Sequence, residues 1–217
     1  MSPIKVDVEE KKRQILLAAA RVFASSGFQA STVAAVARKA GVSKGSIYDY
    51  FKSKREMFVM LVQEMLRQDA EEISKIATGA GSAREKIESV FESWVAKARE
   101  WQELSGLMLE FWAEASQGER SGSLSRFFNK SYKDYHRMLK GLLDEGISNG
   151  EFRADTDCDQ TAAMVIACLD GVLLQSALDR RLGEVGPLKD TFLQFLLQGI
   201  ARPGDAPAGT SRKGARR

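Results

Sequence analysis

From Ile15 to Ile200 the apolar residues return every three or four positions, and no stretch alternates them strictly with polar ones. That period belongs to the α-helix and leaves no place for a half-buried strand. The four prolines (Pro3, Pro187, Pro203 and Pro207) fall outside the long apolar-periodic segments, where they would break a helix. An all-α fold is expected.

Helix boundaries follow from caps and glycines. Ile15, Leu16, Ala19, Val22 and Phe23 mark a first helix, closed by Gly27. Ser31 or Thr32 caps a second, Val33 to Lys39, and Ser43 caps a third, Lys44 to Phe51. Ser53 with Glu56 makes a capping box for a long fourth helix through Met57, Phe58, Leu61, Met65 and Ile73. Three more helices carry Trp94, Phe111 and Tyr132, and a turn region follows from Gly146 to Thr156. The last two helices run from Cys158 to about Leu182 and from Leu188 to Ile200. The stretch Ala162 to Leu174 is apolar almost all round, so it needs cover on more than one side. These last two helices are the expected homodimer interface, the alternative being a central core.

Charge divides the chain. Residues 1–55 hold eleven Lys and Arg against four Asp and Glu, a net +7, whereas residues 56–200 hold sixteen against twenty-four, a net −8. Residues 201–217, rich in Pro, Gly, Ala, Ser and Arg, read as a disordered basic tail. A basic head on an acidic body suits a polyanion at one end. Membrane surfaces attract the same charge, but no apolar run approaches the roughly 20 residues that span a bilayer. Met1 to Arg13 is charged and lacks the apolar centre of a signal peptide. A cytoplasmic protein with no membrane partner is expected.

Catalytic and metal chemistry find little support. Cys158 and Cys168 stand ten apart, with no disulfide or zinc framework. His136 is the only histidine, and Glu110 and Glu114 have no Glu-x-x-His partner for a carboxylate di-metal site. No phosphate-binding loop, dinucleotide fingerprint or nucleophile motif appears. No enzyme activity, metal or cofactor is expected.

The stretch Thr32 to Lys54, TVAAVARKAGVSKGSIYDYFKSK, carries the sharpest signal. Two short helices joined by Ala40-Gly41-Val42-Ser43 are a helix-turn-helix. Gly41 permits the left-handed backbone of the turn, and Val42 can fill the space between the helices. Ser43 caps the second helix, and Gly45 lets a backbone pass close to a phosphate. Ile47 and Phe51, four apart, face inward. Lys44, Ser46, Tyr48, Asp49 and Tyr50 then lie on the opposite side, as on a recognition helix in the major groove.

This stretch resembles the tetracycline-repressor (TetR) family of bacterial regulators, through Thr32, Val36, Ala37, Ala40, Gly41, Val42, Ser43, Gly45, Tyr48, Tyr50, Phe51, Ser53 and Lys54. The first helix, with Ile15, Ala18, Ala19, Phe23 and the Gly27-Phe28 turn, extends the likeness over about residues 10–60. The resemblance implies a DNA-binding domain at 1–55 and a ligand-binding and dimerisation domain at 56–200. It implies a phosphate contact at Thr32, phosphate or groove-edge contacts at Tyr48, Tyr50 and Lys54, and base readout at Lys44, Ser46 and Asp49. Phe111-Trp112-Ala113-Glu114-Ala115, Gly150-Glu151-Phe152-Arg153 and Leu169-Asp170-Gly171 are similar to the choline-responsive branch's C-terminal domain.

The body offers a second site. Trp94, Trp101, Met108, Phe111, Trp112, Tyr132 and Tyr135 lie on three helices and are candidate liners of a small-molecule pocket; the bland reading is ordinary core. Glu110, Glu114 and His136 are candidate polar handles, or solvated. The resemblance implies a repressor that binds a palindromic operator as a homodimer and is released by an unidentified small-molecule inducer. An activator, a structural chromosomal protein, and a helical enzyme or carrier are the alternatives.

Overall fold

The computed structural model describes residues 8–102, 105–116, 122–178 and 185–202. Among them lie nine helices: α1 (Val8–Ser26), α2 (Val33–Ala40), α3 (Lys44–Tyr48), α4 (Lys54–Ala77), α5 (Ala83–Gln102), α6 (Ser105–Ala115), α7 (Ser123–Ser148), α8 (Cys158–Leu178) and α9 (Val185–Ile200). The architecture is all-α, as the periodicity requires. Among the described residues no helix is long and apolar enough to cross a membrane.

The caps form where the sequence places them. Thr32 Oγ1 accepts the Ala35 N–H at 3.1 Å, and Gly41 closes α2 at φ +67°, in the left-handed region. Ser43 Oγ accepts the Ser46 N–H at 3.0 Å, and Ser53 Oγ accepts the Glu56 N–H at 3.0 Å. The Glu56 carboxylate turns back to the Lys52 N–H instead of that of Ser53. α3 stops at Tyr48, short of the expected Phe51, and a last turn follows in which the Tyr50 amide donates to the Ile47 carbonyl three residues back.

Two apolar clusters build the interior. The first joins α1, α2, α3 and the start of α4 through Ile15, Phe23, Val36, Ile47, Phe51 and Phe58, and it also takes in Phe111 of α6 and Leu124 and Phe128 of α7. The second lies deeper in the body, among Ile73, Ile87, Phe91, Leu142, Phe152, Val165 and Leu197. α4 belongs to both, with Met57 to Val62 in the first and Ile73 in the second.

The segment expected as a turn from Gly146 is partly helical, since α7 runs on to Ser148. Gly146 sits inside that helix because the Phe152 ring lies where a Cβ would be. The turn that follows does structural work. The Glu151 carboxylate caps α5 by accepting the Ala83 and Arg84 amides, each at 3.0 Å. The Arg153 amide donates to the Ile200 carbonyl at 2.9 Å and ties in the end of α9. α9 begins at Val185, ahead of the expected Leu188, and Pro187 falls in its first turn, where a missing N–H costs nothing. Leu182 and the tail 203–217 lie outside the described residues.

α8 and α9 leave apolar side chains open. Met164 is 67% exposed, Leu178 73% and Phe195 73%, with Leu174 and Leu188 also exposed.

Candidate functional site

The head presents an open face. Ile47 and Phe51 are fully buried in the head cluster and α3 packs on α2, so the opposite side of α3 points outward. Lys44, Gly45, Tyr48 and Asp49 are exposed, and Ser46 is half-buried. Ser43 and Ser46 hydroxyls lie 2.9 Å apart at the start of α3, holding that turn. Thr32 is exposed at the start of α2, and Tyr50 is half-buried against the head cluster. Thr32, Lys44, Gly45, Tyr48 and Asp49 are thus accessible to solvent, and Ser46 partly so, offering polar groups and an aromatic ring. That is the chemistry a major groove and its phosphates require.

Lys54, expected at a phosphate or groove-edge contact, turns toward the α1–α2 turn in this structure. Its Nζ donates to the carbonyls of Phe28 (2.7 Å), Gln29 (3.1 Å) and Ser31 (2.9 Å), and it lies 4.4 Å from the Phe28 ring centre. An ammonium has three protons, and all are committed to the α1–α2 turn. Lys54 holds that turn, and with it the Thr32 cap, in place.

In the body a cavity of about 470 Å³ opens between α4, α5, α6, α7, α8 and α9. Trp94, Trp112, Phe128, Tyr132 and Tyr135 wall it, with Phe91 and Phe192 beyond. The expected liners Trp112, Tyr132 and Tyr135 are therefore brought together. Phe111 is not among them. Being one residue before Trp112, it points about 100° away around the helix and is fully buried, its ring 5.8 Å from Phe58 and 4.6 Å from Phe128. Trp101 and Met108 lie outside the residues whose side chains are described.

Among the described residues, four charged side chains line the cavity: Asp69, Lys97, Asp170 and Lys189. Lys97 is paired with Asp69 and, at 2.9 Å, with Glu72. Lys189 lies 3.3 Å from Asp190 and 3.8 Å from Glu92. Asp170 accepts a 2.8 Å hydrogen bond from the Tyr132 hydroxyl. Burial pushes the Asp170 carboxyl above its ordinary range, against the pull of the Tyr132 bond. Burial, then the neighbouring Asp170 charge, raises the Tyr132 phenol. The sequence did carry a signal for Asp170, as the one charge inside the apolar stretch 162–174. Periodicity weighs apolar positions and passes over such a residue. His136 faces away from this cavity, its ring nitrogen 3.1 Å from the Asp159 carbonyl.

Ring contacts connect the two sites. Phe23 meets the Phe58 ring edge-on and Phe28 lies tilted against it, Phe58 meets Phe111, Phe111 meets Phe128, and Phe128 meets Tyr132 at 5.5 Å on the cavity wall.

Known proteins share this arrangement. Residues 15–61 match the model of the tetR family of bacterial regulatory proteins, and residues 83–201 match that of the BetI-type transcriptional repressor C-terminal domain. The chain is 27% identical over 191 residues to the fatty acid metabolism regulator protein of Bacillus subtilis, covering 88% of this chain and 95% of that protein. It is 30% identical over 207 residues to the HTH-type transcriptional regulator YfiR of the same species, covering 91% of this chain and 98% of that protein. The crystal structure of the Bacillus subtilis regulator FadR with stearoyl-CoA superposes with a TM-score of 0.69 at 26% identity, over 87% of this chain and 98% of that one. These relatives are transcriptional regulators, and the head, body and connecting helix described above are theirs in kind. The chain belongs to the TetR family of bacterial transcriptional regulators, with a C-terminal domain of the BetI type.

Proposed function

We propose that this chain is a repressor that binds a palindromic operator as a homodimer and releases it when a small molecule enters the body cavity. The outward face of α3, fixed by buried Ile47 and Phe51, is the observation that carries the DNA half of this reading. Thr32, Lys44, Gly45, Ser46, Tyr48, Asp49 and Tyr50 form the contact surface. Lys44 donates to guanine or phosphate, and the Tyr48 ring meets the groove edge. The exposed apolar residues of α8 and α9 support pairing of two copies there. Twofold pairing sets two α3 helices on successive major grooves, about 34–36 Å apart, and the site they read is then a palindrome.

Release follows from the ring contacts. Trp112 lines the cavity, and Phe111, its neighbour, sits between α4 and α7 at the head. A ligand that displaces Trp112 shifts Phe111, Phe58 and the start of α4, and so the spacing of the two heads. A coupling of about 1–3 kcal/mol suffices for a switch. The stearoyl-CoA bound by the Bacillus subtilis relative supports reading this cavity as a ligand chamber. No enzymatic step is part of this reading.

The test is fluorescence anisotropy with duplexes selected from a random library. Wild-type protein is expected to enrich a twofold-symmetric sequence, and Lys44→Ala with Tyr48→Ala to weaken it at least about tenfold and flatten its salt dependence. Unchanged affinity and slope in that double variant would falsify the assignment of α3 to the groove.

A further inference from the structure

Asp170 is the one charge on the cavity wall that no opposite charge answers among the described residues. Lys97 and Lys189 already face carboxylates. On the outer side of α7 and α8, Lys133, His136, Arg137 and Lys140 border a groove that also reaches Asp170. His136 lies by Asp159, Arg137 binds Asp134 and Lys140 binds Asp144, and no ion pair joins any of the four to Asp170. Its hydrogen bond comes from a neutral phenol. A carboxylate taken out of water without a cation is costly, and proteins keep such groups where a ligand or a proton completes them. The same cavity wall carries the rings of Trp94, Trp112, Phe128 and Tyr135. Aromatic faces carry negative potential and attract cations. An anion would meet the reverse: Asp170 and ring faces, with both lysines already engaged.

We propose that the cavity takes a bulky organic cation, its charge seated on Asp170 and its apolar body against Trp94, Trp112, Phe128 and Tyr135. This rests on reading the cavity as the ligand chamber. The volume, about 470 Å³, fits a drug-sized molecule and is far too large for a small ammonium ion alone. Binding at Asp170 pulls on its hydrogen bond to Tyr132, whose ring meets Phe128 and, through it, Phe111 of α6, the helix that packs against α1 of the head.

Two ions of nearly one shape and opposite charge make the test. Full-length protein is titrated calorimetrically with tetraphenylphosphonium and with tetraphenylborate, and separately with stearoyl-CoA. Tetraphenylphosphonium is expected to bind at least about tenfold tighter than tetraphenylborate, and Asp170→Asn to remove that preference. The amide keeps the Tyr132 bond, and melting temperature checks its fold. Should it fail to fold, Trp112→Leu serves instead, with cation affinity expected to fall about threefold to tenfold. Equal binding of the two ions, a cation affinity untouched by either variant, or stearoyl-CoA binding more tightly than the cation and insensitive to Asp170→Asn each overturns the proposal. Operator anisotropy runs in parallel. A bound cation that depends on Asp170 supports the site even where the operator is retained, and that result removes the inducer reading alone. A protein that holds its operator yet ignores the cation removes the cation site alone.

Discussion

Lys54 and Lys44 look alike in the sequence, as basic residues flanking one helix-turn-helix, and the structure gives them different work. Lys44 is exposed, whereas the Lys54 ammonium is bound by three carbonyls of the Phe28–Ser31 turn. Lys44→Ala is therefore expected to lower the slope of log affinity against log salt by about 1, the signature of one lost phosphate contact. Lys54→Ala is expected to lower melting temperature and operator affinity together while leaving that slope nearly unchanged. Anisotropy at several salt concentrations, with a thermal melt, separates the two. The inward positions Ile47 and Phe51 were legible from their spacing, as were the caps Thr32, Ser43 and Ser53. Lys54 was not, because its acceptors lie 23 to 26 residues earlier in the chain. Phe111 is hard to place for a related reason: an aromatic beside Trp112 shares its chemistry, but only packing shows which ring meets α4 and which meets the cavity.

Among the elements, α7 carries the clearest departure from pattern reading. Glycine after an apolar run signals a helix end, so Gly146 reads as a break. Here the helix continues through it, and the missing side chain makes room for Phe152, itself almost fully buried. Gly146→Ala, normally a gain in a helix, is expected to cost about 1–3 kcal/mol through overpacking, read as a lower melting temperature. Glu151→Ala is expected to cost roughly 1 kcal/mol, since it leaves the first amides of α5 without their acceptor. An equally stable variant would remove that cap from the account. Helix order and type were legible along the chain because amphipathic periodicity is a local property. The Glu151 cap spans 67 to 68 residues and the Gly146 contact depends on a ring from the next turn, and neither leaves a trace in the period.

At the scale of the whole molecule, α8 and α9 combine burial and exposure. Leu193, Leu197 and Val165 are in the body core, while Met164, Leu178 and Phe195 face outward. The nearly all-round apolar character of 162–174 was legible as a demand for cover, and a second copy is the proposed cover. Phe195→Glu combined with Met164→Glu is expected to yield a folded monomer by light scattering, with operator affinity lost because one head cannot hold both half-sites. A dimer that persists with both charges in place would move the interface elsewhere.

The apolar cluster under the recognition helix recruits Phe111, Leu124 and Phe128 from the far half of the chain. A fragment cut after α4 would leave Phe58 and its neighbours wet on one side, and would be expected to clump instead of binding an operator. Anyone grafting this reader onto a foreign sensor must carry those residues along with it, so the practical seam for building hybrids lies within α7, beyond Phe128, and not in the loop after the helix-turn-helix.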